Sequence, residues 1–180
     1  MENTLFDIVC PEYILSGHLI TKDKRRELYG QVAGGEGSKK PEDDQRKNII
    51  KGTGQPCNKT HIRINWRTNE IVIKSQPMKE DDGFDYTEDF DGSQSFGSIT
   101  VYVNLKSVVG TGGSQTRTLR ECNHFVNAQL NYLLASKNTT CLFANIFDGD
   151  EASSKMKLFN YLLARSEFST VCKYIYMSET

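Results

Sequence analysis

The second half of the chain alternates apolar strands with amphipathic helices, and that order limits the fold more than any other feature. Ser98–Val109 is rich in β-branched residues on both faces, the mark of a strand covered on both sides. Gly110-Thr111-Gly112-Gly113-Ser114 breaks it, and a helix is expected over Gln115–Ser136. Leu119, Cys122, Val126, Leu130 and Leu133 recur there at three- and four-residue steps and form one core-facing stripe. Cys141–Phe147 reads as a nearly continuous apolar strand. Asp148-Gly149-Asp150 then turns into a second helix, Ala152–Arg165, with Leu158, Leu162 and Leu163 inward, and Val171–Met177 closes as a strand. Right-handed crossovers place three strands joined by two helices parallel in one sheet. His61–Trp66 and Glu70–Ser75 alternate apolar and polar residues around Arg67-Thr68-Asn69, which predicts an antiparallel hairpin extending that sheet. The expected fold class is α/β: a central mixed β-sheet flanked by helices.

The 180 residues suit a single domain with a sizeable core, divided into a helical and loop region over 1–55 and a sheet core over 56–180. Thr4–Leu15 reads as a short docked helix or irregular segment, and Lys22–Val32 as a helix with a basic start. Ala33–Asp44, rich in Gly, Lys and acids, is expected to be a loop, with one or two helical turns over Gln45–Lys51. No apolar run is long enough to span a bilayer, so no membrane association is expected. Met1–Leu15 has no basic segment of the signal-peptide kind. Five widely spaced cysteines read as free thiols, so a reducing, cytoplasmic setting is expected. A net charge of −1 supplies no overall attraction for nucleic acid, so any such claim must rest on a local site.

Two candidate features adjoin the central strand. Phe84-Asp85-Tyr86-Thr87-Glu88-Asp89-Phe90-Asp91-Gly92 interleaves carboxylates with large aromatics. Burial of the rings would fix the backbone and hold the carboxylates in place, and fixed, clustered carboxylates favour a hard divalent ion. On the strand itself, period-two geometry puts Tyr102, Asn104 and Lys106 on one face and Val101, Val103 and Leu105 on the other. An ammonium in so apolar a strand needs an anion, either a protein carboxylate or a substrate phosphate.

An acid at a turn, roughly a dozen residues, and then a strand carrying x-x-Lys resembles the PD-(D/E)xK nuclease superfamily, which includes many type II restriction endonucleases. Gly112–Glu121 and Phe143–Asp150 also resemble restriction-enzyme sequences, so the similarity covers roughly Phe84–Thr180. The resemblance implies a restriction-endonuclease-like fold acting on double-stranded DNA with Mg2+, with a homodimer as the arrangement that cuts both strands. It implies that Asp91 helps hold the metal, with Glu88, Asp89 and Asn104 as further candidate ligands, and that Lys106 orients or activates the attacking water. The family's second acid falls on Asn104, which offers a neutral oxygen but no charge. Some members move that acid to the following helix, where Glu121 is the candidate, although it lies roughly 140° from the core stripe at about 100° per residue.

The glycine turn offers a second kind of anion contact. Gly112 and Gly113 at a helix N-terminus, with Gln115, Arg117 and Arg120 beside them, suit a DNA phosphate. The lack of a Gly-Lys-Ser/Thr ending disfavours a nucleotide P-loop. Lys22–Arg26 and Lys39-Lys40 would add phosphate contacts or base readout. Two other functions compete: a non-catalytic nucleic-acid-binding protein of the same fold, and a phosphate- or nucleotide-binding regulatory domain built on the glycine turn. Cys57 with His61, and Cys122 with His124, lack the spacing of an established zinc site.

Overall fold

The computed structural model describes residues 36–73, 83–110 and 112–177; the expected segments Thr4–Leu15 and Lys22–Val32 lie outside them. In chain order the elements are α1 (Glu36–Thr53), β1 (Ile62–Asn65), β2 (Glu70–Ile73), β3 (Gly92–Phe96), β4 (Ile99–Ser107), α2 (Gly113–Ser136), β5 (Cys141–Asp148), α3 (Asp150–Ser154), α4 (Met156–Leu163) and β6 (Ile175–Met177). The architecture is α/β. A mixed four-stranded sheet in the order β3-β4-β5-β6 carries helices on its faces, with β3 antiparallel to β4 and the other pairs parallel. The strand-helix-strand-helix-strand run expected from Ser98 onward is present, although the strand expected over Val171–Met177 is confined to Ile175–Met177, after a 3-10 turn over Cys172–Tyr174.

Strand alternation divides the core into two. On one face Val101, Val103 and Leu105 of β4 join Leu142, Ala144 and Ile146 of β5 under Ile49 of α1. On the other, Phe143 and Phe147 of β5, with Tyr102 packed against them, meet Leu119, Cys122, Phe125, Val126, Leu130 and Leu133 of α2. The predicted α2 stripe is buried in full. β5 is buried along its whole length, as its unbroken apolar sequence requires.

Several expectations are corrected. The hairpin forms with Asn65 opposite Glu70, but β1 and β2 make a separate two-stranded sheet and do not extend the main one. The antiparallel neighbour of β4 is β3, which the sequence hides. Gly-Ser-Gln-Ser-Phe has no hydrophobic alternation, because an edge strand needs its backbone partners more than its side chains, and the turn back into β4 is made by Gly97 at φ 64°. Within the expected loop Ala33–Asp44, residues from Glu36 onward are helical. Arg46 reaches Glu42 at 3.1 Å and Asp43 at 2.9 Å, one helical turn back, the spacing that supports a helix. The second helix is not continuous: α3 and α4 are separated at Lys155. Met156, Phe159 and Leu162 point inward, with the Phe159 ring 5.3 Å from that of Phe147, and Leu158 is turned out at 54% exposure.

Gly149 lets the exits of β4 and β5 pass closely. Its φ is 110°, and a Cβ there would collide with the carbonyl of Val108. Gly149→Ala is therefore expected to lower unfolding stability by about 2 kcal/mol or more, through backbone strain and the displaced chain. Urea denaturation measures this, and a variant within experimental error of wild type would refute the close approach.

Candidate active site

The extended segment before β3 is held from both sides. The amide of Thr87 donates to the carbonyl of Ile64 and that of Phe90 to Ile62, both 2.9 Å, so residues 85–90 run beside the hairpin. Phe90 is 1% exposed, its ring 4.7 Å from Phe125, 5.1 Å from Tyr102 and 5.4 Å from Phe143. Burial of this one ring anchors the carboxylates around it. Alternation then divides them: Glu88 turns to the α2 side and reaches Lys106 Nζ at 3.0 Å, while Asp89 turns to Arg63 at 2.8 Å and His61 at 3.8 Å.

Asp91 sits where β3 begins. Its amide donates to the carbonyl of Val103, 2.9 Å, and its carbonyl accepts from Arg46 Nη2, 2.7 Å. Its Oδ2 accepts the Leu105 amide at 2.7 Å, so the carboxyl replaces the ladder partner that the edge strand no longer supplies. Burial pushes the Asp91 carboxyl up to about 7; Lys106 and the Leu105 amide pull it down, and Glu42 and Glu88 push it further up. Lys106 has the converse balance. Burial pulls its ammonium down, but Glu88 and Asp91 outweigh it, and the net shift is upward. The lysine is therefore a fixed positive charge at neutral pH, with its side chain 23% exposed.

The remaining expected residues fall into three places. Asn104 is 1% exposed and lies on the Lys106 face of β4; its Nδ2 donates to Asn145 Oδ1 at 3.3 Å, and Asn145 exchanges two hydrogen bonds with Gln129. The Oδ1 of Asn104 is buried without a hydrogen-bond partner. Glu121 is exposed on α2 and lines, with Glu88, a cleft of about 560 Å3. Gly112, Gly113, Arg117 and Arg120 are exposed at the start of α2, with Gln115 partly so and no side-chain cap on the helix. That helix end leaves amides facing outward, the arrangement expected of an anion contact.

The zinc pairings find no support in the geometry. Cys122 is in the core with its thiol pushed up to about 12 by burial, whereas His124 is exposed and lines the cleft. Among the described residues, no three His, Cys, Asp or Glu side chains are grouped to hold a metal ion. Asp91 and Glu88 are the two carboxylates whose charge acts on Lys106, and the pairing of Gly92 with Val103 puts the Asp91 backbone beside that of Asn104. Such a set suits a hard ion that retains most of its waters and takes one or two carboxylates.

Sequence reasoning missed Arg46, Glu42 and Trp66, and weighed His124 only as a zinc ligand. The Glu42-Asp43-x-x-Arg46 spacing is a helix-pair signal that could have drawn attention to Arg46. Nothing in the sequence pairs the hairpin tryptophan with Glu121. No helix of the described residues is long and apolar enough to cross a membrane. No protein-family model, curated protein or solved structure matches the chain.

Proposed function

We propose that this chain is a metal-dependent DNA endonuclease of restriction-endonuclease-like fold. The observation that carries the reading is the Lys106–Glu88 ion pair at the junction of β3, β4 and the anchored acidic segment, with the buried Asp91 carboxyl close enough to feel both charges. An acid at the entry to an antiparallel strand, a strand bearing the lysine, and a helix leading to a parallel strand support the same resemblance.

In this reading Asp91, Glu88 and the Oδ1 of Asn104 would hold Mg2+, which when bound supplies Lewis-acid polarisation of the phosphoryl oxygens. Lys106 provides a positive charge that Glu88 keeps in place and that burial keeps undiluted by water, directed at the charge that develops on the phosphate. Arg117, Arg120, Gln115 and the exposed amides of Gly112 and Gly113 would position the strand by its phosphates. Two copies of the chain would bring one site to each strand of a duplex. Asp89, held by Arg63, serves the scaffold.

The test is plasmid nicking. Supercoiled DNA is expected to be cut with Mg2+ and protected by EDTA, and Lys106→Ala is expected to slow cutting about a hundredfold. No cutting at any divalent ion concentration would overturn the proposal. Asn104 in place of an acid favours one other reading, a nucleic-acid-binding protein without catalysis. Salt-sensitive duplex binding that is indifferent to EDTA would select it.

A further inference from the structure

The cleft beside the proposed site has two unlike walls. One is aromatic: Trp66, Phe84 and Tyr86, with Phe84 93% and Trp66 52% exposed. The Trp66 indole N–H donates to the Phe84 carbonyl at 2.6 Å, which ties the two ring-bearing segments together. Large rings exposed side by side at the mouth of a cleft are unusual on a surface with no partner. The other wall is a polar stripe on α2, Glu121, His124, Asn127 and Asn131, spaced at about one helical turn so that all four face one way. A flat heteroaromatic ring with donors and acceptors on its edge complements both walls at once.

Charge selects among flat ligands. Glu121 lines the cleft, so a phosphate beside it would be repelled. Glu88 is already neutralised by Lys106, which leaves Glu121 as the carboxylate available to accept a hydrogen bond. A carboxylate accepts from an exocyclic amino group, and the amides of Asn127 and Asn131 can pair with adjacent base-edge groups. Because Glu88 belongs to the cleft and to the Lys106 pair, a base here lies next to the phosphate proposed to be cut. A volume of about 560 Å3 is in the range of small-ligand sites.

We infer that this cleft is a nucleobase subsite, stacking an unpaired base on the Trp66–Phe84–Tyr86 wall and preferring bases that carry an exocyclic amino group. The inference rests on the nuclease reading for its biological meaning but not for its test. The base must leave its stack to enter, so the substrate presents a single-stranded or extruded nucleotide at this position.

Trp66 is the only tryptophan of the chain, so its fluorescence reports on the cleft directly. Adenosine, guanosine and cytidine are expected to quench it saturably, and thymidine, with no amino group, to bind about tenfold more weakly. Glu121→Ala should erase that preference, Phe84→Ala should weaken all four nucleosides, and both exposed sites leave the fold intact by circular dichroism. Asp91→Asn does not line the cleft and should quench like wild type. Plasmid cutting with no quenching by any nucleoside would overturn the subsite alone. Quenching without cutting would overturn the nuclease reading alone. Quenching by tetramethylammonium and by no nucleoside would make the cleft a cation box and overturn the base assignment.

Discussion

Asp91→Asn is expected to lower Mg2+-dependent cutting about a thousandfold or more while leaving the protein at least as stable as wild type in metal-free, mildly alkaline buffer. The first half follows from the loss of the charged donor nearest the phosphate, together with its share of the field that holds Lys106. The second half follows from the proton balance at this residue. Its carboxyl has an ordinary value of 3.8 and is pushed to about 7 in the fold by burial, with Glu42 and Glu88 adding to the rise and Lys106 and the Leu105 amide opposing it. Between those values the folded protein keeps a proton that the unfolded chain has released. Stability from this group is therefore complete below 3.8 and is lost as pH rises through about 7. Asparagine keeps an oxygen for the Leu105 amide and never ionises, so it escapes that loss. Melting temperatures across the pH range should show the variant gaining on wild type from acid to alkaline, and wild-type cutting should rise through neutrality. A variant that cuts normally would remove Asp91 from the site, and one that unfolds at every pH would make its carboxylate structural.

Phe90→Ala is expected to cost about 3–5 kcal/mol, the range for emptying a buried aromatic site. Phe90 is enclosed by Tyr102, Phe125 and Phe143, so neighbours on three sides resist collapse into the space. Because Glu88, Asp89 and Asp91 hang on the backbone beside it, cutting should fall even under conditions where the variant remains folded. Phe90→Leu should restore most of both. Phe84→Ala provides the contrast: an aromatic of the same segment, 93% exposed, whose loss should leave unfolding in urea unchanged within about 0.5 kcal/mol. Equal effects of the two alanine substitutions would contradict the division of the segment into an anchor and a cleft wall.

Legibility in the sequence followed the strength of periodic signals. β4, α2 and β5 declared themselves because each buries a complete face, and the electrostatic influence of Lys106 on Asp91 was foreseeable from a carboxylate before a turn and a lysine within an apolar strand. β3 was hidden because its only buried side chain is that of Gln94, whose amide donates to Thr53 and to the Gln55 carbonyl, so the strand has no apolar alternation. α1 was hidden because glycines, lysines and acids suggest a loop until their ion pairs are counted along a helix. Leu158 misled because three leucines at plausible spacing compete with Met156 and Phe159 for the same side of a short helix, and the larger ring wins the core. The fate of Asn104 could not be read at all. Its burial depends on Asn145 and Gln129, far along the chain, which form the amide cluster that receives it.

The separateness of the two-stranded hairpin has a mechanical meaning. Residues 85–90 are laced to the hairpin by backbone hydrogen bonds, whereas Lys106 belongs to the four-stranded sheet. The 3.0 Å bond between Glu88 and Lys106 is thus a clasp across a seam between two β-layers, stitched elsewhere by Phe90 and Ile64 in the shared core and by the backbone pair of Asn58 with Ser93. The site thus straddles the two layers, with one charge of the pair carried by each.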